Sequence, residues 1–309
     1  MSSEKTAAPR VTPSGRSHVV QFPRFGAHMS VAGGLHLAFE RGRAAGCDCL
    51  QIFVKNQRQW SARPLEQDEV RVWRDARATA KIEPVIAHSS YLINLGNPDD
   101  APWQRSIDAL TDELHRCERL EIAGLVLHPG AHLGAGERAG LRRIARALDL
   151  IHRRTRGLRV QTLLETTAGQ GSTLGHRFEH LGEIIARVRE PDRLGICIDT
   201  CHVFAAGYDL TTEAGYAATL ATFGEVVGFD RLRAIHVNDC LQPLGSRRDR
   251  HAAIGKGRLG RGAFARVAND PRLAKVPMIL ETPKGQDVRG RDLDRVNLAA
   301  LRRLVRKPT

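Results

Sequence analysis

The sequence predicts an α/β protein built on a closed barrel of eight parallel strands, a (β/α)₈ TIM barrel. Three observations support this fold: the length of 309 residues, eight short apolar segments, and amphipathic helical patterns between those segments. An apolar fraction of 42% and a charged fraction of 26% are typical of a globular protein with a large core. Closure removes both sheet edges, and an open doubly wound sheet is the alternative architecture.

Eight apolar segments rich in strand-forming residues account for the predicted sheet. In chain order they cover residues 25–30 (FGAHMS), 47–55 (CDCLQIFVK), 84–90 (PVIAHSS), 124–130 (GLVLHPG), 160–167 (VQTLLETT), 194–202 (LGICIDTCH), 232–239 (LRAIHVND) and 277–283 (PMILETP).

Helices are predicted between the strands, where apolar residues recur three and four positions apart. Pro102, after Asp99 and Asp100, stands where a first-turn proline is tolerated. The apolar stripes are Ile107, Leu110, Leu114, Cys117 and Leu120; Leu141, Ile144, Leu148 and Ile151; Phe178, Leu181, Ile185 and Val188; and Leu293, Val296, Leu301 and Val305.

The chain divides into a tail and one domain. Residues 1–24 are rich in Ser, Pro, Thr and Arg without periodicity, and predict a flexible basic tail, whereas residues 25–309 predict a single barrel domain. No apolar run reaches the ~18 residues of a membrane span, so no membrane partner is expected. The tail lacks the apolar core of an export signal, which favours the cytoplasm over the alternative of an organellar transit peptide.

The net charge indicates a class of binding partner, and the cysteine content indicates the redox compartment. Lys and Arg number 47 against 34 Asp and Glu, a net charge of +13, which favours a polyanionic partner as much as a merely solvated Arg-rich surface. Six cysteines without a C-x-x-C pair fit a reducing compartment. Cys201 beside His202 could be a nucleophile, although such a thiol usually packs in a core.

Polar side chains end six consecutive predicted strands, where the active site of a parallel barrel lies. Uncompensated imidazoles and carboxylates at one rim would be costly, whereas divalent cations would neutralise them. The sequence therefore predicts a metal site formed by His88, His128, Glu165, Asp199, His202, His236 and Glu281.

A long irregular insertion, residues 240–260, adds Asp249 and His251, which an extended backbone would present to one side. Its alternative interpretation is an Arg-rich solvated loop. Nine candidate ligands suit two or three ions, and clustered metals commonly hydrolyse phosphodiesters. Mixed His and carboxylate ligands favour Zn²⁺ or Mn²⁺ over Mg²⁺.

Eight ordered motifs resemble those of endonuclease IV, the zinc-dependent apurinic/apyrimidinic endonuclease family of base-excision repair. They are FVKNQRQW, HSSYLINLG, LHPGAH, ETTAGQG, CIDTCHVFAAGYD, HVNDC, GSRRDRHAAIG and LETP. The resemblance runs from FGAHMS to LETP, nearly the whole chain except the tail.

The resemblance implies a xylose isomerase-like TIM barrel that binds three zinc ions. His88 and His128 would hold one ion, and Glu165 would bridge it to a second held by Asp199, His236 and Glu281. The third would be held by His202, Asp249 and His251. A zinc-activated hydroxide held by Glu165 would attack the phosphorus 5′ to an abasic site, leaving a 3′-hydroxyl and a 5′-deoxyribose phosphate.

The resemblance also implies double-stranded DNA containing abasic sites as the partner of a monomer. Arg58 would wedge into the base stack with Gln57 beside it, and Tyr91 and Leu92 would fill space near the lesion. An abasic nucleotide neither stacks nor pairs, so extruding it costs little. The alternative role for Arg58 is a phosphate contact.

This chain departs from the family pattern at Cys240, Leu241, Ala252 and Lys256, which affects expected DNA contacts and the third metal. Two other classes compete: a metal-dependent sugar isomerase or epimerase with the same barrel, and a catalytically silent DNA-binding barrel. The isomerase would have no use for the Arg58 loop or for the insertion.

Overall fold

A computed structural model describes residues 23–306 and confirms the predicted fold, a closed barrel of eight parallel strands. The predicted tail lies outside the described residues, apart from Pro23 and Arg24. The strands are β1 (Phe25–His28), β2 (Cys49–Phe53), β3 (Val85–His88), β4 (Gly124–Leu127), β5 (Gln161–Glu165), β6 (Leu194–Asp199), β7 (Leu232–His236) and β8 (Met278–Leu280). Each strand pairs in parallel with its chain neighbours, and β8 closes on β1.

Helices surround the barrel and bury their apolar stripes against it, as in α4, where Leu141, Ile144, Leu148 and Ile151 are all buried. Each such side chain stabilises the fold by roughly 1.5–3 kcal/mol relative to an exposed one. The helices are α1 (Leu37–Ala45), α2 (Gln67–Ala80), α3 (Asp100–Arg119), α4 (Glu137–Arg154), α5 (Phe178–Arg187), α6 (Thr200–Ala206), α7 (Glu213–Val226), α8 (Gly260–Asn269) and α9 (Leu293–Arg302). Within residues 23–306, none of them has the length and apolarity that a membrane crossing requires.

An apolar cluster fills the barrel interior with one side chain from each of seven strands. Its members are Cys49, Ile86, Val126, Leu163, Cys197, Ala234 and Ile279. The eighth strand contributes Gly26, where a Cβ atom would collide with the carbonyl group of Cys49. These residues form the interior plug, on which the next layer of side chains rests.

The segment 194–202 is not one strand, contrary to the sequence prediction. Strand β6 ends at Asp199, and α6 begins at Thr200. The Asp199 carboxylate accepts a hydrogen bond from the backbone N–H of His202 at 2.9 Å, so it caps the helix. His202 therefore lies on the first turn of a helix.

Other predicted elements also extended slightly too far. The segment 47–55 forms a strand only over Cys49–Phe53, and Leu120, Val188 and Val305 lie just beyond the ends of their helices. The ends of helices and strands are where local patterns carry least information.

The insertion after β7 is ordered by a short antiparallel ribbon in which Asp239–Cys240 pairs with His251–Ala252. The buried Asp239 carboxylate accepts backbone hydrogen bonds from Gly257 and Leu259, at 2.9 and 3.0 Å. The ribbon returns the insertion to the top of the barrel.

Candidate metal centre

A polar layer lies immediately above the interior plug. Because side chains alternate along a strand, the residue two positions after each plug residue points into the barrel again. At all eight positions this residue is polar, within the strand or directly after it: His28, Gln51, His88, His128, Glu165, Asp199, His236 and Glu281. The C-terminal end of the barrel thus carries a closed ring of polar groups.

The first group of candidate ligands combines His88, His128 and Glu165, whose ligand atoms all lie within 4.8 Å of one another. Oε2 of Glu165 lies 3.2 Å from Nε2 of His88 and 3.1 Å from Nε2 of His128. Glu165 is fully buried, so its charge depends on these neighbours.

The second group combines Glu165, Asp199, His236 and Glu281, again within 4.8 Å. Nδ1 of His236 lies 2.9 Å from Oε1 of Glu165, 3.2 Å from Oε2 of Glu281 and 3.8 Å from Oδ2 of Asp199. Glu165 therefore contributes one carboxylate oxygen to each of the first two groups.

The third group combines His202, Asp249 and His251 at the edge of the layer. Asp249 lies 3.1 Å from Nε2 of His202 and 3.2 Å from Nε2 of His251, through its two oxygens. Nε2 of His251 is also 3.6 Å from Oδ2 of Asp199, so this group adjoins the second. The structure thus brings all nine predicted side chains together.

Four of the five imidazoles are oriented by a hydrogen bond from the ring nitrogen that points away from the candidate ion. Nδ1–H donates to a backbone carbonyl oxygen in three of them: His88 to Ser89 at 2.8 Å, His202 to Thr166 at 2.8 Å, and His251 to Glu281 at 3.1 Å. His236 uses Nε2–H, which donates to Oε1 of Gln51 at 2.8 Å. Metal-binding histidines are typically held this way.

The buried carboxylates of the cluster need positive charge beside them. Burial alone would raise the pKa of Glu165, but the attraction of His236 and His128 holds that pKa well below its usual range. Burial opposes protonation of His202 and His236, yet their pKa values are held well above normal, by Asp199, Asp249 and Glu165 for His202 and by Cys197, Glu281 and Glu165 for His236. Protons on the imidazoles thus balance the carboxylates, a task that divalent ions perform when they displace those protons.

The donor set fits zinc. Imidazole nitrogens and carboxylate oxygens are ordinary zinc ligands, and bridging carboxylates join neighbouring ions. In the described part of the chain, Nε2 of His251 is buried and makes no well-aligned hydrogen bond, although Asp249 and Asp199 lie 3.2 and 3.6 Å away. Proximity to two carboxylates without a hydrogen bond fits a nitrogen that shares an ion with them.

The predicted DNA-contact residues project from loops on the same rim. Arg58 is exposed in the loop after β2. Gln57 is half-buried, and its backbone carbonyl oxygen accepts a hydrogen bond from the Ser90 hydroxyl at 2.7 Å. Tyr91 is 62% exposed, and its ring centroid lies 5.4 Å from that of His88. Leu92 is half-buried beside it.

A groove of about 910 Å³ runs beside these loops. Its lining includes His28, Phe53, Arg58, Tyr91 and Glu281, so it joins the exposed loop residues to the second ligand group. Trp60 packs under the loop, with the guanidinium of Arg105 over its ring at 5.4 Å.

Sequence reasoning missed His28 and Gln51, which complete the polar ring. Both belong to the first two strands, where only the ends of strands three to eight were considered. The signal was available, because Gln51 interrupts an apolar strand two positions after Cys49. Asn238 was also missed: its amide donates to Oδ2 of Asp199 at 2.6 Å, and its carbonyl oxygen accepts the Glu281 backbone N–H at 2.7 Å.

The thiol beside the third group is not suited to be a nucleophile. Cys201 is buried, and contact with the Cys240 thiol together with burial raises its pKa far above the ordinary range. The thiolate is the reactive form, so Cys201 serves packing. Among the departures, Cys240 and Ala252 are buried in the ribbon, whereas Leu241 and Lys256 are exposed.

A second cluster on the described chain, Glu137, His176 and His180, is less suited to a metal. Nδ1 of His180 accepts the Gly175 backbone N–H at 3.2 Å, and the Arg177 guanidinium contacts Nε2 of the same ring at 2.9 Å. A cation is already present there.

The fold and the ring of ligands define the class: residues 39–304 match the family model described as a xylose isomerase-like TIM barrel. A "Probable endonuclease 4" of Chloroflexus aurantiacus is 51% identical over 283 residues, covering 92% of this chain and 98% of that protein. One of Geobacter sulfurreducens is 48% identical over 284 residues, covering 92% and 95%. The chain belongs to the endonuclease IV family and is an endonuclease.

Solved structures agree with this membership. The crystal structure of endonuclease IV from Thermus thermophilus superposes with a TM-score of 0.79 at 36% identity, covering 91% of this chain and 98% of that one. A D-tagatose 3-epimerase-like protein reaches a TM-score of 0.69 at 17% identity, covering 91% and 96%, which shows a shared barrel only. The sugar isomerase alternative therefore has no support beyond the fold.

Proposed function

We propose that this protein repairs DNA by hydrolysing the phosphodiester 5′ to abasic sites in duplex DNA. The reaction would leave a 3′-hydroxyl and a 5′-deoxyribose phosphate, and three zinc ions would be bound. The observation that carries the proposal is the continuity of the three ligand groups: Glu165 belongs to two of them, and Asp199 adjoins the third. Adjacent metal sites suit a single phosphodiester held between them.

Each ligand group would hold one ion. His88, His128 and Glu165 would hold the first, Glu165, Asp199, His236 and Glu281 the second, and His202, Asp249 and His251 the third. Zinc, when bound, lowers the pKa of its bound water to near neutrality and stabilises charge on phosphoryl oxygens.

The chain's own residues prepare this site. Glu165, fully buried between two groups, would orient the attacking water and accept its hydrogen bond. The hydrogen bonds to the outer ring nitrogens fix the imidazoles before substrate arrives, which lowers the reorganisation needed during reaction. The interior plug excludes water from below.

Substrate selection would depend on the rim loops. Arg58 is exposed and charged, which would allow it to enter the base stack, and Tyr91 lines the same groove with its ring 5.4 Å from that of His88. Gln57 and Leu92 would fill the space around the lesion. An abasic nucleotide is easily displaced, so the choice of site would follow from deformability more than from base contacts.

We also propose that residues 25–309 act as one barrel domain, as a monomer in the cytosol. The continuous core of the described chain and the net charge of +13 are consistent with a single domain that binds a polyanion.

The decisive experiment is cleavage of a duplex carrying one abasic-site analogue. The purified protein should nick the strand 5′ to the lesion, lose activity after exhaustive chelation, and regain it when zinc is restored. An undamaged duplex of the same sequence is the control. Activity that survives complete metal removal, or equal cleavage of both duplexes, would reject the proposal.

A further inference from the structure

Gln51 is the one uncharged amide in the polar ring, and all of its polar atoms contact other members of that ring. It is fully buried on β2, paired in register with His28 of β1. Its Nε2 lies 2.5 Å from Oε1 of Glu281 and 2.9 Å from Nδ1 of His28, and its Oε1 lies 2.8 Å from Nε2 of His236.

These neighbours determine which way the amide faces. Glu281 is a carboxylate and can only accept, so the NH₂ end of Gln51 must point towards it. The carbonyl oxygen then faces His236 and can only accept, so Nε2 of His236 must carry a proton. The opposite orientation would place the amide oxygen against the Glu281 carboxylate.

The amide therefore leaves one defined atom free on each partner. His236 presents Nδ1, the ring nitrogen that the amide does not contact, to Glu165, Asp199 and Glu281. Glu281 has Oε1 tied to Gln51, while its Oε2 faces Nδ1 of His236 at 3.2 Å. Both free atoms belong to the second ligand group.

We propose that Gln51 is a positioning residue that assigns the coordinating atoms of the second metal site, Nδ1 of His236 and Oε2 of Glu281. This inference rests on the proposed function, because it assumes that the second group holds an ion. Gln51 lies beside the ligands in the polar ring, and its polar atoms are taken up by His28, His236 and Glu281, so it would touch neither the ion nor the DNA.

An apolar side chain of similar length would fill the same space without making these hydrogen bonds. Without the amide, neither the tautomer of His236 nor the rotation of the Glu281 carboxylate is fixed. Loss of such a partner typically weakens metal binding by roughly 10–100-fold. We expect a loss of this size at one of the three sites only.

The test compares Gln51→Met with the matched control Gln161→Met. Gln161 lies at the opposite end of the barrel, where its amide contacts Asp192 and Arg233. Zinc retained per chain is measured against increasing chelator, and the visible absorption spectrum is recorded after cobalt substitution. Gln51→Met should release one equivalent at a roughly 10–100-fold lower chelator concentration and change the cobalt spectrum, whereas the control should match the wild type.

Activity gives an independent readout. Because Gln51 is fully buried and does not reach the surface that would meet DNA, Gln51→Met should lower kcat on the abasic duplex while leaving KM close to that of the wild type. Gln51→Asn, which remains polar but is too short to reach both partners, serves if Gln51→Met does not fold, and should show the same selective zinc loss.

The outcomes separate the two proposals. If the wild type binds three zinc ions and cleaves, but folded Gln51→Met and Gln51→Asn retain all three with unchanged affinity, the inference about Gln51 is overturned and the function stands. If the variants lose one equivalent but the wild type does not cleave abasic duplexes, the inference stands and the proposed function does not.

Discussion

Glu165 contacts more of the candidate ligands than any other described residue does: its two oxygens lie between 2.9 and 3.3 Å from four imidazoles. We predict that Glu165→Gln abolishes cleavage of an abasic duplex and leaves most DNA binding, since the rim loops are untouched. Single-turnover cleavage and equilibrium binding measure the two effects. Glu137→Gln, a change of the same type on the same rim but outside the three groups, is the control. Undiminished turnover in Glu165→Gln would contradict the assigned role.

His152 illustrates a buried histidine without a ligand role. It lies on α4, both of its ring nitrogens lack partners among the described residues, and burial together with Arg193 lowers its pKa to about 4. The other charged groups acting on it, Glu190 and Asp149, oppose this shift only weakly. The folded state therefore resists protonation that the unfolded chain accepts below about pH 6.5.

We predict that His152→Leu removes part of the acid sensitivity of the fold. The unfolded state gains the proton first, so stability is full above about pH 6.5 and declines as the pH falls towards 4. Between pH 7.5 and pH 5 this loss amounts to roughly 2 kcal/mol for the wild type, and the variant should lack it. Denaturant unfolding at both pH values measures the difference, with the exposed His115→Leu as control. An identical pH dependence in the wild type and His152→Leu would refute the explanation.

At the level of single residues, the sequence was sufficient to identify the nine clustered side chains, because each follows an apolar strand or lies in one motif. It was not sufficient to identify His28 and Gln51. Their contacts with Glu281 depend on closure of β1 and β2 onto β8, which are more than 200 residues apart in the chain.

The loop between β2 and α2 is the element that carries the predicted wedge. Asn56 shapes it, since its side-chain oxygen accepts the Arg58 backbone N–H at 2.9 Å, and Lys55 anchors it through the Trp60 carbonyl oxygen at 2.9 Å. The backbone is thus held while the Arg58 side chain remains exposed, an arrangement suited to insertion into another molecule.

We predict that Arg58→Ala reduces discrimination between abasic and intact duplex by roughly 10-fold or more, as expected for the loss of one well-placed contact. Zinc content should not change, because Arg58 contacts no ligand. Arg71→Ala on α2 removes the same charge from an exposed side chain outside the groove and should retain discrimination. Competition binding with both duplexes gives the ratio of the two affinities. If this ratio is the same for the wild type and Arg58→Ala, Arg58 is a phosphate contact and not a wedge.

Helices and strands were predicted best where the hydrophobic periodicity of the sequence matches the burial seen in the structure. They were predicted least well where one residue has two structural roles. Asp199 ends a strand as a candidate ligand and also caps the helix that carries His202. A hydrophobicity pattern shows the apolar residues on both sides of it, but not the hydrogen bond that changes the backbone from strand to helix.

For the whole molecule, the net charge of +13 should make DNA binding strongly dependent on salt. If about four phosphates are contacted, the affinity for a duplex should fall by ~10²-fold between roughly 50 and 200 mM salt. Fluorescence anisotropy with a labelled abasic duplex measures this slope. An affinity that does not change with salt would show that the basic residues are solvated and do not contact DNA.

The barrel as a whole was predictable because alternation of eight strands and helices leaves few ways to cover a parallel sheet. What the sequence does not show is how the insertion of residues 240–260 folds back over the mouth, since this depends on the two-residue ribbon and on Asp239.

The spacing of two residues between plug and ring determines where this chain can accept an inserted residue. One residue inserted between the plug and ring positions of a barrel strand would turn one of these two side chains outwards, so either packing or coordination would be lost in a single step. The same insertion beyond the ring residue, in the loop that follows, would leave both facing inwards. Tolerance of added length should therefore rise abruptly after the ring residue, except in β6, where α6 and His202 follow at once.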